Sequence, residues 1–359
     1  MARRKNDEEV DFNKAKEWFE MGLSTEDPEE KLVYYTRALK INPDYIEALI
    51  GKGNTFLELG IAESAIKCYN RALEINPDSM EALAHKGNAL FIAGRHNEAI
   101  EYYDRVLSRD PKMAGVWLNK GISYSSTGKE EKALECYDKA LSIEPEFANA
   151  WLCMGDALEA IGKYEEALEA YEKGLSIDPE DAPAWINRGK ALRRLERHEE
   201  ALESHRRALE MDPQSAGAWS NLAGSLYMLE RYGEALEACD RAIELEPEFA
   251  GAWNNRGVIL GKLGRLEEAL EAYEKVLELK MDNAKAWVSM GSVLAALERY
   301  EEALDCYNKA LNLDPRLAIT WNEKGNVLQK LGKPEEALEA YENAQKLNKN
   351  KQKPGLKNY

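Results

Sequence analysis

The sequence predicts an all-α solenoid of about ten 34-residue helix-turn-helix repeats. Proline recurs at 43, 77, 111, 145, 179, 213, 247 and 315, always 34 residues apart except for the last step, which is twice as long and passes Met281. Tryptophan keeps the same step at 117, 151, 185, 219, 253, 287 and 321, as does glycine at 53, 87, 121, 155 and 189. A solenoid also accommodates 359 residues easily, because each repeat touches only its neighbours, whereas compact cores rarely grow past roughly 250 residues.

With the proline as the thirty-second residue, repeats begin at 12, 46, 80, 114, 148, 182, 216, 250, 284 and 318. This divides the chain into an N-terminal extension (1–11), a solenoid (12–351) and a flexible tail (352–359) carrying Pro354 and Gly355. Repeat five shows why each element forms. Trp151, Met154, Leu158 and Ile161 step by three or four, and so do Ala167, Leu168, Tyr171 and Leu175, giving two amphipathic helices. Gly162 suits the left-handed residue that ends the first, and Glu165 and Glu166 suit the positive N-terminal end of the second. Pro179 closes the second helix, since it has no N–H to donate. Gly155 and Ala167 are small where the two helices approach, and stacking against neighbouring repeats completes the core.

Trp151, Gly155, Tyr164, Ala167, Tyr171 and Pro179 resemble the tetratricopeptide-repeat signature, and comparable sets recur from repeat two to repeat ten. The resemblance implies a right-handed superhelix whose first helices line a concave groove and whose second helices form the back. It also implies a general protein-interaction scaffold. Three places depart from the pattern. Repeat one has Phe19 at the glycine position and Lys31 at the alanine position, so its first helix is expected to be irregular or displaced. Repeat eight has Lys280 and Met281 in place of the proline turn, so its second helix is expected to run on or turn less sharply. In repeat ten Gln345 replaces a leucine or isoleucine, as suits an outer face.

Composition narrows the function classes. With 44% hydrophobic and 31% charged residues the chain has enough to bury and should fold. A formal net charge of -17 repels phosphate backbones, which argues against nucleic acid. No run reaches the ~18 apolar residues of a membrane span and the start lacks an apolar signal segment, so no membrane association and a cytoplasmic location are expected. Cysteines at 68, 136, 153, 239 and 306 form no CxxC pair and read as reduced, mostly buried thiols rather than metal ligands. No phosphate loop, nucleophile with a base or paired catalytic carboxylates stand out from the period, so neither enzyme activity nor a cofactor is expected.

Residues that repeat at one position are explained by the fold; function is sought in what departs. The basic stretch INRGKALRRLERHEE, residues 186–200, illustrates the subtraction. Arg197 has basic equivalents in most repeats and is expected to answer a helix dipole, and Arg188 recurs as a long stem over apolar surface. Lys190, Arg193 and Arg194 remain, with Lys190 and Arg194 expected to look into the groove and Arg193 at its edge. His205 replaces a recurrent tyrosine and is expected to be a half-buried packing residue.

Asn119, Asn187, Asn221 and Asn255 share one position, two residues after each tryptophan. An amide both donates and accepts, so such a ladder could pair with an extended peptide backbone, as the asparagine ladder of superhelical tetratricopeptide arrays does. The lysine and asparagine set of the carboxylate clamp found in this family is not present in three consecutive repeats. The expected partner is therefore a protein or extended peptide, with an acidic or C-terminal segment suggested by Lys190 and Arg194. Self-association through the terminal repeats, into dimers or filaments, is the alternative.

Overall fold

The protein is described by a computed structural model over residues 2–351, with side chains from 12 to 349; the tail expected at 352–359 lies outside the described residues. The described residues are helical throughout, without strands, and fall into two compact halves that divide after Pro179. The N-terminal half contains α1 (Ala2–Ser24), α2 (Pro28–Ile41), α3 (Ile46–Glu58), α4 (Ala62–Ile75), α5 (Met80–Ile92), α6 (His96–Leu107), α7 (Ala114–Ser125), α8 (Glu130–Ile143), α9 (Ala148–Ala160) and α10 (Tyr164–Ile177). The C-terminal half contains α11 (Ala182–Arg194), α12 (His198–Met211), α13 (Ala216–Met228), α14 (Tyr232–Leu245), α15 (Ala250–Lys262), α16 (Leu266–Leu279), α17 (Ala284–Ala296), α18 (Tyr300–Leu313), α19 (Ala318–Lys330) and α20 (Pro334–Lys351).

Odd-numbered helices are the first helices of their repeats. Within each half every helix packs on its sequence neighbours, and consecutive first helices also meet, as α5 does α7 and α13 does α15. Second helices make no comparable contact with one another among the described residues. In each half the first helices therefore lie on the inner side of the curvature.

One lock recurs in the core. The tyrosine of the second helix lies flat against the glycine of the first, so a Cβ on Gly87 would stand 2.6 Å from Tyr103 Cε1 and one on Gly155 2.5 Å from Tyr171 Cε1. Tyr69, Tyr103, Tyr137, Tyr171 and Tyr307 are consequently among the largest fully buried side chains. Several of these hydroxyls donate to the residue after the glycine, from Tyr69 to Asn54 Oδ1 at 2.6 Å, Tyr103 to Asn88 Oδ1 at 2.9 Å and Tyr171 to Asp156 Oδ1 at 2.7 Å. Repeat seven uses a different pair, Ala223 and Cys239, both fully buried in one cluster.

The tryptophans join repeats. Each indole is half-buried, and its Nε1 donates to the turn before its helix: Trp117 to Pro111 O at 3.0 Å, Trp151 to Pro145 O at 2.8 Å, Trp253 to Pro247 O at 2.9 Å. Trp287 donates in the same way to Met281 O at 3.0 Å, because the bond needs a carbonyl rather than a proline. The expectation that the second helix of repeat eight runs on is thus corrected. It ends at Leu279, its Lys280 N–H returns to Val276 O at 2.8 Å, and Asn283 caps the next helix through Ala286 N.

Repeat one is displaced in register but regular. Gly22, not Phe19, faces Tyr35, and Trp18 takes the tryptophan place with Arg37 4.6 Å above its ring, as Lys173 sits over Trp151. The turn from Gly22 to Tyr35 is three residues shorter than that from Gly155 to Tyr171, which explains the shift. Lys31, where others have a buried alanine, reaches out to Glu58 at 3.1 Å. At the other end Leu338 is 61% exposed, whereas its equivalents Leu168, Leu202, Leu236 and Leu270 are covered by the following repeat.

First helices end in a left-handed residue, glycine at 60, 94, 128, 162, 264 and 332 but glutamate at Glu196, Glu230 and Glu298, where φ is 59°, 58° and 59°. A left-handed conformation costs an L residue roughly 1–2 kcal/mol, partly offset by the greater unfolded-state entropy of glycine. The triple change Glu196→Gly, Glu230→Gly and Glu298→Gly should therefore raise stability by roughly 2 kcal/mol in total, measured by urea unfolding. An unchanged or lower midpoint would show that these residues are held without strain.

Candidate interaction groove

The groove side of the C-terminal half is built by α11, α13 and α15. On α11, Asn187 and Lys190 are one turn apart, and Lys190 Nζ donates to Asn187 Oδ1 at 3.1 Å. Arg194, in the last turn, is exposed. On α13, Asn221 Nδ2 donates to Gly217 O at 2.8 Å. Asn255 on α15 reaches back to α13, its Nδ2 donating to Ser220 O at 3.1 Å and Ser220 Oγ at 3.0 Å. In the N-terminal half Asn119 Nδ2 donates to Asn88 Oδ1 at 3.1 Å.

The structure thus brings Asn221 and Asn255 together, joins Asn187 to Lys190, and leaves Arg194 in solvent. The amide nitrogens of Asn119, Asn221 and Asn255 are engaged within the protein. The Oδ1 atoms of Asn221 and Asn255 meet no donor among the described residues. Both residues line a cleft of about 290 Å³ between the three helices, with Gly224, Tyr227, Ile259 and Arg193 around it. This size sits at the small end of the roughly 300–1,000 Å³ typical of ligand pockets, so it suits one side chain better than a whole ligand.

Arg193 is the residue the sequence placed only at the edge. It is half-buried, and a Cβ on Gly224 would lie 2.5 Å from its Nη1, so the guanidinium occupies the space a side chain at 224 would fill. The signal is an arginine followed, in the next repeat, by glycine where Asn54, Asn88, Asp156 and Asn326 stand in other repeats. Burial, with Arg194 alongside, lowers the pKa of Arg193 from its ordinary value. No carboxylate or other acceptor pairs with Arg193 among the described residues.

Behind the groove, His205 is fully buried rather than half-buried, with its ring against Gly189 and Nδ1 3.0 Å from Ser225 Oγ. Its Nε2 has no hydrogen-bond partner. Burial first, then the charges of Arg193 and Lys190, push its pKa down to about 3 against the opposing pull of the Ile186 backbone carbonyl. It is therefore a neutral core residue. His85, on the first helix α5, stacks on Tyr69 with ring centroids 5.9 Å apart. Arg197 belongs to the scaffold, but through a fork onto Glu200 (2.7 and 2.6 Å) in the next helix rather than through a dipole alone, and Arg231, Arg265 and Arg299 repeat that fork. The thiols of Cys136, Cys239 and Cys306 are buried and pushed up to about 11, 12 and 11, which removes thiolate at neutral pH. No described helix is long and apolar enough to cross a membrane.

Family models described as tetratricopeptide repeat match residues 50–114 and 186–248, residues 146–214, and residues 114–147, 250–280 and 318–351; one described as TPR repeat matches 291–332. Together they cover most of the chain. The protein belongs to the tetratricopeptide-repeat family. Among solved structures, this tetratricopeptide array resembles the APC/C hetero-tetramer Cut9-Hcn1, with a TM-score of 0.56 and 18% identity over 89% of this chain and 79% of that one. That likeness is one of fold. Crystal structures of MamA match with 29% identity over 44% of this chain and 92% of theirs (TM-score 0.41), and 28% over 48% and 95% (TM-score 0.41). No curated protein sequence matches the chain.

Proposed function

We propose that this tetratricopeptide array is a non-catalytic scaffold that binds an extended segment of a partner protein along its first-helix face. The observation that carries this reading is the adjacent pair Asn221 and Asn255. Their Nδ2 groups are held by protein acceptors, which fixes the amides, and their Oδ1 atoms remain able to accept from the N–H groups of a chain laid across the helices. Fixing the amides beforehand lowers the ordering cost of binding. Asn187 and Asn119 continue the same position within their own halves, and Lys190 and Arg194 favour an acidic or C-terminal segment. A cytoplasmic location accords with this role.

The test uses random dodecapeptides selected on the immobilised protein. Each hydrogen bond contributes roughly 0.5–1.5 kcal/mol, so Asn221→Ala with Asn255→Ala should weaken the selected peptides by about tenfold. Lys190→Ala with Arg194→Ala should weaken acidic peptides specifically, and Arg197→Ala should leave all of them unchanged. Equal losses from every variant, or protection from hydrogen exchange confined to the second helices, would reject the groove.

A further inference from the structure

We infer that the cleft over Gly224 is a carboxylate subsite of the groove, in which Arg193 supplies the charge and a glutamate side chain or a chain terminus of the bound segment is the ligand. The inference rests on the groove reading and names what one part of that groove selects. The cleft exists because of a chain of residue replacements in the core. Eight repeats pair glycine with a tyrosine whose ring covers it, and several of those tyrosines donate a hydroxyl to the next residue of the first helix. In repeat seven the tyrosine is Cys239, so no hydroxyl needs a partner there and position 224 can be glycine. The space so opened is filled from the preceding repeat by the Arg193 guanidinium.

That filling leaves a charge in an uncommon state. Elsewhere in the array Arg95, Arg197, Arg231, Arg265 and Arg299 each fork onto a glutamate three residues on. Arg193 has no such partner among the described residues, although the chain carries 65 acidic residues to 48 basic ones. A half-buried guanidinium stays charged and loses hydration without recovering it, and an incoming carboxylate would restore both hydrogen bonds and charge balance. Tyr227 lines the same cleft, and Val258 and Ile259 offer apolar wall to the methylenes of a glutamate. One guanidinium matches one negative charge. Lys190 is tied to Asn187 and Arg194 is exposed, so neither is positioned in the cleft as Arg193 is.

Two synthetic dodecapeptide libraries, both acetylated at the N-terminus, separate the sources of the carboxylate. In one the C-terminus is amidated, so only side chains carry acid; in the other it is free. Retention on the immobilised full chain is read by mass spectrometry. Wild type should enrich glutamate or aspartate at one position of the amidated library, or retain the free-acid library preferentially, by tenfold or more. Arg193→Met keeps the stem and removes the charge, and Gly224→Val displaces the guanidinium through its Cβ. Both should abolish the acid preference while non-acidic peptides are still retained, with thermal unfolding confirming that each variant is folded. Acid preference that survives both changes, or that is absent from wild type, overturns the subsite and leaves the groove standing. Acid preference lost only in Lys190→Ala or Arg194→Ala moves the charge elsewhere and also overturns it. Retention of no peptide at all would remove the groove and the subsite together.

Discussion

Tyr103→Ala is expected to destabilise the N-terminal half by roughly 3–5 kcal/mol, the cost of emptying a fully buried aromatic site. Tyr103 covers Gly87, sits at no exposed surface, and donates its hydroxyl to Asn88, which also accepts from Asn119 on the next first helix. Losing the ring therefore opens a cavity between the two helices of repeat three and loosens the amide that ties repeat three to repeat four. Tyr103→Phe, which keeps the ring, should cost only about 1 kcal/mol. Gly87→Ala forces a Cβ against the ring and should cost roughly 1–3 kcal/mol by overpacking. Repeat seven suggests a compensated alternative, and Gly87→Ala with Tyr103→Cys should cost less than the sum of its single changes, since the new methyl occupies part of the space the ring leaves. Urea unfolding of these four variants, together with Tyr103→Cys alone, measures this. A cost below about 1 kcal/mol for Tyr103→Ala would mean that the recurrent lock does not hold the repeats together.

The second large effect concerns pH. His205 has an ordinary pKa of 6.5 and is pushed down to about 3 by burial and by Arg193 and Lys190. Between those values the unfolded chain binds a proton that the folded chain refuses. Stability therefore falls as pH drops below 6.5, by about 1.4 kcal/mol per pH unit, and the loss ends near pH 3. From pH 7 to pH 4.5 the histidine should remove roughly 2–3 kcal/mol. His205→Phe should abolish that component while leaving intact the acid response of the carboxylates, which both proteins share. The comparison is thus the difference between the two proteins in urea midpoint across pH, with hydrogen exchange in α11 to α13 showing where the protein opens. Parallel pH curves would show that His205 is protonated in the folded array.

Much of the architecture was legible before any coordinates. The 34-residue step located the repeats, and Trp151, Gly155 and Tyr171 were assigned to packing where the structure finds them. Such residues do the same thing in every repeat, against neighbours at fixed sequence distance, so the period itself reports their role. The groove was legible in part. The asparagine position was found on the first helices, but the pairing of Asn255 with Ser220 and of Asn119 with Asn88 was not, because these contacts cross between repeats and depend on side-chain reach. Arg193 was set at the edge for the same reason: its place is decided by an absent side chain on a different helix, Gly224.

The sequence by itself determined the repeat length, the pairing of helices and the residues that fill the core, since amphipathic spacing and turn chemistry are local properties of the chain. Tertiary structure decided where a second helix stops. Met281 ends α16 as well as any proline does, because the next first helix begins there and Trp287 takes its carbonyl. At Lys349 the proline is again missing and no further first helix follows in the described residues, and α20 continues for 18 residues where α18 has 14. A helix with free backbone groups extends until packing or a proline prevents it, so its end is a property of the neighbour as much as of its own residues.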